Sequence, residues 1–350
     1  MKVAVVGIRG MGQTHIAAIK KMDFVSEVAG VDVTAEVRES VGRAQGVQTF
    51  ADLESACRTF KPDAVIVATP PSRHREVIEQ CLERRIPVLT EKPICSTLDD
   101  SRAMVQLAAK LGVPFQAGFE LRYCGSTRAF RSVLDAGALG KLSQISLIQI
   151  SGSKTQPGYM SRARTGGIFY EKLCHQVDLF RYYFGEPKRV MAIAAPHALK
   201  HYEIEENVMS VTEFPNGEQG TITFQTRRAA QVNGLEKPPR EFDGREAGHF
   251  YEMTYIGDKG SATFDAWTEC IDVIRYNHRE DLKSELVRRI DVRKEFGEPS
   301  YDVFSQDGDF LERARNGQPP QFPASDALQS MIWCEKAEES LRRKGDWISA

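Results

Sequence analysis

The chain has 350 residues, 41% of them hydrophobic, a length typical of about two domains with sizeable cores. Its formal net charge of −2 gives no excess of positive charge, which argues against a nucleic-acid partner. No apolar run approaches about 18 residues, so no membrane contact is predicted. Seven cysteines without paired spacing indicate reduced thiols, and the start at Met1 leads directly into a strand, so we expect a cytoplasmic location.

The stretch from Val3 to Asp32 predicts a dinucleotide-binding unit. Four apolar residues beginning at Val3 suit a buried parallel strand, and a glycine-rich turn follows them directly. Gly7 permits a tight turn, Gly10 lets the backbone approach a pyrophosphate, and Gly12 lets the next helix pack closely. We expect the cofactor to bind this whole turn, Gly7, Ile8, Arg9, Gly10, Met11 and Gly12.

Asp32 determines the expected choice of cofactor. It lies about 20 residues after Gly12, where a carboxylate accepts hydrogen bonds from an adenosine ribose. Positions 33 and 34 carry no arginine that could meet a 2′-phosphate, and their absence favours NAD. Arg38 is close enough in sequence to leave NADP open.

Strands and helices alternate through residues 1–121. Apolar runs at 64–68, 87–89 and 114–117 predict further strands separated by helices, so we predict a doubly wound parallel Rossmann sheet in an α/β domain. Ligands of such sheets bind beyond the carboxyl ends of the strands. The residues at this edge are expected to contribute to cofactor binding; they are Thr69, Pro70, His74, Glu91 and Lys92. His74, like His15, is also a candidate for packing or capping.

Residues 122–350 are predicted to form an α+β domain with a large, open, mainly antiparallel sheet. Turn sequences at 215–217 and 257–260 predict two hairpins, and the chain is expected to close with helices at 303–315 and 324–343. An open apolar sheet face is expected to pair copies into a homodimer or homotetramer, with the candidate residues Leu142, Ile145, Leu147 and Ile150. The segment 229–249 is interpreted as a surface loop or a lid.

Lys92 and His175 are the residues best suited to act on a substrate hydroxyl. An ammonium at Lys92 would hydrogen-bond the hydroxyl and polarise it, although a plain surface lysine is the alternative interpretation. His175 lies four residues after Glu171 and three before Asp178, so on one helix the three share a face. Two alternatives stay open for His175, a buried histidine held by Asp178 and a metal ligand beside both carboxylates.

Three segments resemble the glucose-fructose oxidoreductase/inositol dehydrogenase/rhizopine catabolism (Gfo/Idh/MocA) family: the turn from Gly7 to His15, the stretch from Ala68 to Pro93, and Gly166 to Asp178. The similarity runs nearly end to end. It implies a nucleotide domain with an open-sheet substrate domain, and reversible NAD(P)-dependent oxidation of a sugar or cyclitol hydroxyl. With the chemistry above, His175 becomes the expected acid/base and Lys92 its partner, while Glu171 orients or binds the substrate.

The segment before His175 departs from the family pattern. The commoner Asp-x-Gly-x-His is here Glu171-Lys172-Leu173-Cys174-His175, and both changes leave the substrate and the reaction class open. The alternatives are an NAD-dependent glycoside hydrolase that acts by transient oxidation and elimination, and a non-catalytic nucleotide-binding protein. The expected substrate contacts are Lys92, Arg122, Tyr123, Arg164, Glu171, Lys172 and His175, with Tyr159 and Arg162 as further loop candidates.

Overall fold

The computed structural model describes residues 1–151, 160–197, 199–226, 250–277 and 284–350. The chain forms two compact units. The first unit consists of Met1–Glu120, Ala163–Gly166 and Val303–Ile332, and the second of Leu121–Arg162, Gly167–Asp302 and Trp333–Ala350. Each unit is built from several chain segments. The single domain boundary that we expect after residue 121 stays a prediction. The expected loop at 229–249 and Tyr159 lie outside the described residues.

A six-stranded parallel sheet forms the centre of the first unit, which confirms the predicted Rossmann sheet. The strand order is β3-β2-β1-β4-β5-β6, and every neighbouring pair runs parallel. The strands are β1 Lys2–Val6, β2 Glu27–Val31, β3 Gln48–Phe50, β4 Ala64–Val67, β5 Val88–Glu91 and β6 Phe115–Gly118. Runs of β-branched residues suit a sheet buried on both faces, and Val3, Val5 and Ile66 are fully buried in its core.

Helices surround the parallel sheet, and the unit also takes in a helix from late in the chain. The helices up to β6 are α1 Gly10–Ile19, α2 Ala35–Gln45, α3 Leu53–Thr59, α4 His74–Glu83 and α5 Leu98–Leu111. Helix α10, Val303–Arg315, contributes Phe310 and Leu311 to the same apolar core as Ile16 of α1. This packing brings Asp307 of α10 within 2.7 Å of His15 on α1, although the two residues are 292 positions apart in sequence.

A nine-stranded sheet dominates the second unit, as predicted, and it is mainly antiparallel. Its order is β14-β13-β12-β11-β7-β10-β9-β8-β15, in which only β7 and β10 pair in parallel among the described strands. The predicted hairpins are confirmed at β9–β10 and β11–β12. The strands are β7 Leu142–Ser151, β8 Arg189–Ala194, β9 Asn207–Glu213, β10 Gln219–Thr226, β11 Phe250–Gly257, β12 Gly260–Asp265, β13 Cys270–Arg275, β14 Glu285–Asp291 and β15 Ile348–Ser349.

The remaining helices are α6 Gly125–Asp135, α7 Arg162–Thr165, α8 Cys174–Phe184, α9 Val292–Phe296, α10 Val303–Arg315 and α11 Ala324–Arg342. A five-residue π-helical turn, Phe169–Leu173, runs directly into α8. Short 3-10 turns at Pro71–Arg73 and Glu120–Arg122 precede α4 and α6. Within the described ranges, none of these helices combines the length and the apolar character needed to cross a bilayer.

The register of β7 corrects the expected interface residues. Ile145, Leu147 and Ile150 are 0%, 2% and 5% exposed and lie in the core of the second unit. Side chains alternate along a strand, so Ile145 and Leu147 share one face of β7, whereas Ile150 lies on the opposite face, which the register of the sheet extends to β9 and β8. Met209 on β9 and Ile193 on β8 are cross-strand partners on that face and are 57% and 45% exposed.

Candidate functional site

The glycine turn after β1 has a shape that only glycine allows. Gly7 has φ +86°, and a Cβ on it would lie 2.7 Å from the Thr69 backbone nitrogen. A Cβ on Gly12 would lie 1.9 Å from the Gly7 carbonyl oxygen. Gly10 differs, because its φ is +35° and the space that a Cβ would occupy is open to 4 Å. At Gly7 and Gly12 the turn therefore packs tightly against neighbouring backbone. At Gly10 it presents backbone without a side chain, as contact with a pyrophosphate requires.

The rest of the turn supports that surface. Ile8 is fully buried and packs against Gly30 of β2, whose missing side chain makes room for it. Arg9 is exposed at the N-cap of α1 and has no side-chain oxygen to cap the first-turn N–H groups. Met11 lies half-buried in that first turn. The helix N-terminus thus retains donors suited to an anion.

Asp32 follows β2 and lies next to the turn. Its carboxylate accepts the Thr34 N–H at 2.9 Å and the Ile8 N–H at 3.4 Å, so the side chain is fixed beside the glycine backbone. Arg38 donates from Nη1 to the Asp32 carbonyl at 2.8 Å, and the Arg9 guanidinium contacts the Thr34 hydroxyl at 2.9 Å. These residues fit NAD, because a held carboxylate meets a ribose diol and the open backbone meets the phosphates.

The loops after β4 and β5 are linked by His74. Its ring is fully buried, with Nε2 2.8 Å from the Thr69 carbonyl and Nδ1 2.8 Å from the Pro93 carbonyl. Burial lowers the pKa of His74, although the two backbone carbonyls oppose that shift. His74 thereby fixes the loop that carries Thr69 and the exposed Pro70. Its observed contacts are with backbone, and its expected cofactor contact stays a prediction.

Lys92 lies at the carboxyl end of β5, half-buried, where ligands of parallel sheets bind. Its backbone N–H donates to Oε2 of Glu91 at 3.2 Å, and Oε1 of Glu91 lies 3.0 Å from Nε2 of His15. On the other side of the same ring, Nδ1 of His15 lies 2.7 Å from Oδ2 of Asp307. Glu91 therefore connects Lys92 to a buried ionic cluster.

Sequence reasoning missed two members of this cluster, Asp307 and Glu120. Asp307 is fully buried on α10, 292 residues away from His15 in sequence, so no spacing rule joins them. Burial raises the pKa of Glu120 to about 8, and the negative charge of Glu91 adds to that shift. The one sequence signal that could have identified Asp307 was the presence of this acid within an apolar helical pattern, near Phe310 and Leu311.

In the second unit, the expected single helix around His175 is wrong. Glu171 and Lys172 lie in the π turn, whereas His175 lies in the first turn of α8. π turns in helices often mark functional sites. All three side chains are half-buried, and Nζ of Lys172 lies 3.9 Å from Oε1 of Glu171. The π turn and the start of α8 therefore present a carboxylate, an ammonium and an imidazole close together in sequence.

The observed partner of Asp178 is Arg122, and the expected pairing of Asp178 with His175 stays a prediction. Asp178 is 1% exposed and accepts two hydrogen bonds from Arg122, Nε to Oδ2 and Nη2 to Oδ1, both at 2.6 Å. The two oxygens of the Asp178 carboxylate are thus both engaged by one planar guanidinium, a geometry typical of strong, charge-assisted pairs. Among the described residues, no group of three or more His, Cys, Asp or Glu side chains is arranged to hold a metal ion.

The π turn is held by two acids of α11 that sequence reasoning also missed. Glu338, fully buried, accepts the Phe169 N–H at 2.8 Å and pairs with the Arg162 guanidinium at 2.9 Å. Tyr170 donates its hydroxyl to Glu335 at 2.9 Å. Burial raises the pKa of Glu338, while Phe169 and Arg162 oppose the shift. These contacts fix the backbone that carries Glu171.

The other expected substrate contacts lie in different settings. Arg122 is buried by its pairing with Asp178, and Tyr123 is 8% exposed beside it. Arg164 is half-exposed on α7 in the first unit. The observed role of Arg122 is structural, and substrate contacts by these three residues stay predictions.

Comparison with known proteins places both units in one family. Residues 1–119 match the GFO_IDH_MocA model, described as an oxidoreductase family with an NAD-binding Rossmann fold, and residues 127–263 match the GFO/IDH/MocA C-terminal domain. Two inositol 2-dehydrogenases of Mycolicibacterium vanbaalenii are similar. One is 33% identical over 55% of this chain and 56% of its own length, and the other 30% identical over 75% and 72%.

The fold agrees with that assignment. A putative myo-inositol dehydrogenase from Sinorhizobium meliloti superimposes with a TM-score of 0.80 at 20% identity, covering 100% of this chain and 99% of its own. The chain spans little more than half the length of the first inositol 2-dehydrogenase that it matches. The first unit is accordingly an NAD-binding Rossmann domain. The chain belongs to the Gfo/Idh/MocA family of oxidoreductases.

Proposed function

We propose that the chain catalyses the reversible NAD-dependent oxidation of a secondary hydroxyl on a cyclitol or sugar. The observation that carries this function is the position of Lys92, at the carboxyl end of β5 in the same unit as the glycine turn and Asp32. Ligands of doubly wound sheets bind at that edge. The substrate class draws support from the names of the inositol 2-dehydrogenase relatives.

Each proposed role follows from the chemistry of its side chain. NAD, when bound, supplies the hydride acceptor. His175 takes the hydroxyl proton as the carbonyl forms; Nε2 is the atom we assign, because Nδ1 is buried. Lys92 donates a hydrogen bond to the same oxygen, and Glu171 binds a neighbouring hydroxyl. In the reduction direction His175 returns the proton.

Cofactor choice is proposed to favour NAD over NADP. Asp32 places a carboxylate where a 2′-phosphate would lie, and two like charges there would repel each other. Arg38, which donates to the Asp32 carbonyl, is the residue that would partly offset this repulsion. The NADP reaction is therefore expected to be slower, rather than absent.

Replacement of His175 tests the assignment directly. We expect His175→Ala to reduce kcat by about 10² to 10⁴, because general acid–base catalysis contributes that much. NADH affinity, measured by fluorescence titration, should stay the same. Reduced-nicotinamide absorbance across a panel of cyclitols and sugars gives kcat. His197→Ala, at an exposed position of the same unit, is the matched control. Unchanged turnover in His175→Ala would refute the assignment.

The Glu171-Lys172 pair supports one further reaction class, glycoside cleavage by transient oxidation and elimination. An ammonium 3.9 Å from the carboxylate departs from the commoner family pattern and alters the charge near the substrate. Product analysis separates the two reactions. NADH that accumulates in step with substrate loss supports the dehydrogenase. A cleaved glycoside with no net change in NAD supports glycoside cleavage by transient oxidation and elimination.

We further propose that copies associate through the open face of the nine-stranded sheet. Met209 and Ile193 expose apolar surface side by side on that face, and association would bury it. Met209→Lys should then shift sedimentation towards the 39.2 kDa monomer. Val33→Lys, at an 86% exposed residue of the first unit, should leave sedimentation as it is. A wild-type chain that sediments only as a monomer would contradict association.

A further inference from the structure

A buried row of ionisable groups leads from helix α10 to Lys92. Asp307 lies 2.7 Å from Nδ1 of His15, Nε2 of His15 lies 3.0 Å from Glu91, and Glu91 accepts the Lys92 backbone N–H at 3.2 Å. Asp307 and His15 are both completely buried. Three consecutive hydrogen bonds therefore connect the interior of the first unit to the segment that carries the lysine.

The charge of His15 follows from its partners. Each ring nitrogen faces a carboxylate oxygen, and ionised carboxylates only accept hydrogen bonds, so both nitrogens donate. Burial opposes the charged ring, but Asp307 and Glu91 outweigh burial and raise the pKa of His15 to about 10. Among the described residues, Glu120 also belongs to this electrostatic environment, since its pKa responds to the charges of Glu91, Lys92 and His15. The ring is therefore an imidazolium throughout the neutral range.

Stability alone does not account for such a row. Replacing a buried ion pair by apolar side chains is often neutral or stabilising, so buried ionic groups are poor evidence of a stabilising role. This row ends at the edge of the sheet where ligands bind, and its last bond is to the backbone of Lys92. Supporting residues behind a reactive group commonly fix its location and its charge environment.

We propose that Asp307 and His15 are positioning residues for Lys92. The Asp307–His15 ion pair presents its positive end to Glu91, holds that carboxylate in place against the Lys92 backbone, and offsets the negative charge of this residue, the neighbour of Lys92 in sequence. This inference rests on the function proposed above, in which Lys92 contacts the substrate hydroxyl. Asp307 and His15 act through Glu91 and do not touch the substrate themselves.

A neutral residue at position 307 would lower the pKa of His15 and thereby change the charge next to Glu91. Without the Asp307 charge, His15 loses its strongest ionic partner and gives up its second proton at lower pH. The neutral ring then donates to one neighbour only. Glu91 would then lose the compensating positive charge of the His15 ring, and its negative charge beside Lys92 would raise the affinity of the lysine for its proton. Lys92 should therefore become less nucleophilic.

The test compares Asp307→Asn with Asp309→Asn. Asp309 lies on the same helix and pairs with Arg313 at 2.7 Å near the surface, which makes it a matched control. Competitive acetylation at pH 8, quantified for each lysine by mass spectrometry, reads the reactivity of Lys92. We expect Asp307→Asn to reduce Lys92 labelling by about threefold to tenfold, and Asp309→Asn to leave it unchanged.

Two further measurements complete the test. In ¹⁵N-histidine NMR at pH 8, the His15 ring of the wild-type protein should carry two N–H protons. The His15 ring of Asp307→Asn should carry one. The kcat of Asp307→Asn should decline between pH 7 and 9, where the control stays flat, while NADH affinity is unchanged. If Asp307→Asn does not fold, the wild-type spectrum decides. Two ring protons support the proposal and a neutral ring overturns it.

Failure of this inference is distinguishable from failure of the proposed function. Labelling and NMR need no turnover, so a chain without dehydrogenase activity would still show the Lys92 change if the positioning role is correct. Conversely, loss of turnover in His175→Ala together with unchanged Lys92 labelling in Asp307→Asn would retain the dehydrogenase and overturn the positioning role.

Discussion

Arg122 and Asp178 form a buried, bidentate ion pair in which both nitrogen–oxygen distances are 2.6 Å. The guanidinium also lies 5.5 Å from the centre of the Tyr182 ring. The two residues are separated by 56 positions, and the pair joins the segment before α6 to the middle of α8. His175 is one turn earlier on α8, so this pair anchors the helix that carries the proposed acid/base.

Breaking this pair should be costly for stability. Asp178→Ala removes the carboxylate that accepts both hydrogen bonds from the buried Arg122 guanidinium, and we expect the free energy of unfolding to fall by about 3 to 5 kcal/mol. Urea denaturation followed by circular dichroism measures the change. Asp135→Ala removes an exposed partner of Arg131 in the same unit and should cost at most about 0.5 kcal/mol. Equal losses in the two variants would contradict a special role for the buried pair.

Glu338 should affect turnover through the π turn rather than through the cofactor. Glu338→Ala frees the Phe169 N–H and the Arg162 guanidinium, and Glu171 would shift. Because small misplacements of reacting groups are expensive, we expect kcat to fall about 10- to 100-fold with NADH affinity unchanged. Glu339→Ala, at a neighbouring residue that pairs with Arg343 near the surface, should retain normal kcat. A matching loss in that control would rule out the explanation.

Gly12 should be irreplaceable in the cofactor turn. A Cβ there would lie 1.9 Å from the Gly7 carbonyl oxygen, so Gly12→Ala must displace the start of α1. We expect NADH affinity to fall at least about tenfold, since the anion-binding N–H groups move with the helix. Gly308→Ala on α10 meets only the flexible end of Met22 at 3.6 Å and should bind NADH normally. Normal NADH titration of Gly12→Ala would exclude this geometry.

Asp32 should control discrimination between the two nicotinamide cofactors. Asp32→Ala removes charge-assisted hydrogen bonds worth about 1.5 to 3 kcal/mol, so NADH affinity should fall roughly 10- to 100-fold. NADPH affinity should fall less or rise, because the repulsion of a 2′-phosphate disappears. Asp23→Ala, at an exposed loop position of the same unit, is the control. An unchanged ratio of the two affinities would show that Asp32 does not face the ribose.

The buried cluster should make the protein less stable at alkaline pH. The pKa of His15 is raised from 6.5 to about 10, so its stabilising contribution is complete below pH 6.5 and is lost as pH rises towards 10. Burial raises the pKa of Glu120 from 4.5 to about 8. The folded chain therefore retains a proton that the unfolded chain releases, and stability falls from pH 4.5 to 8 as well.

Urea midpoints measured from pH 6.5 to 9.5 check this expectation. The wild-type midpoint should decline with pH, and Glu120→Gln should make the decline shallower below pH 8 by removing one titrating group. Glu312→Gln, at an exposed position on α10, should follow the wild-type curve. A midpoint that stays constant over this range would show that neither buried group titrates as described.

Local patterns in the sequence were sufficient for the architecture. The run Val3–Val6, the glycine turn and Asp32 predicted the first βαβ unit, because strand burial, positive φ at Gly7 and the spacing to an acid are set by neighbouring residues. The two hairpins followed from their turn residues for the same reason. The helix at Val303–Arg315 was predicted with its observed bounds.

Partners and helix geometry depended on the tertiary structure. Helical spacing placed Asp178 beside His175, but Arg122 takes up that carboxylate, and a π turn separates Glu171 from α8. Residue spacing also left the register of β7 open, and only the structure showed that Ile145 faces the core, because one residue of register exchanges the two faces of a strand.

The sequence by itself thus determined the parallel sheet, the cofactor turn and the family, since these depend on contacts within a few residues. Only the tertiary structure decided which charges meet. Asp307 reaches His15 across 292 residues, and Glu338 reaches Phe169 across 169. A buried charge needs a counter-charge nearby. The packing of distant segments, rather than spacing along the chain, determines which residue supplies it.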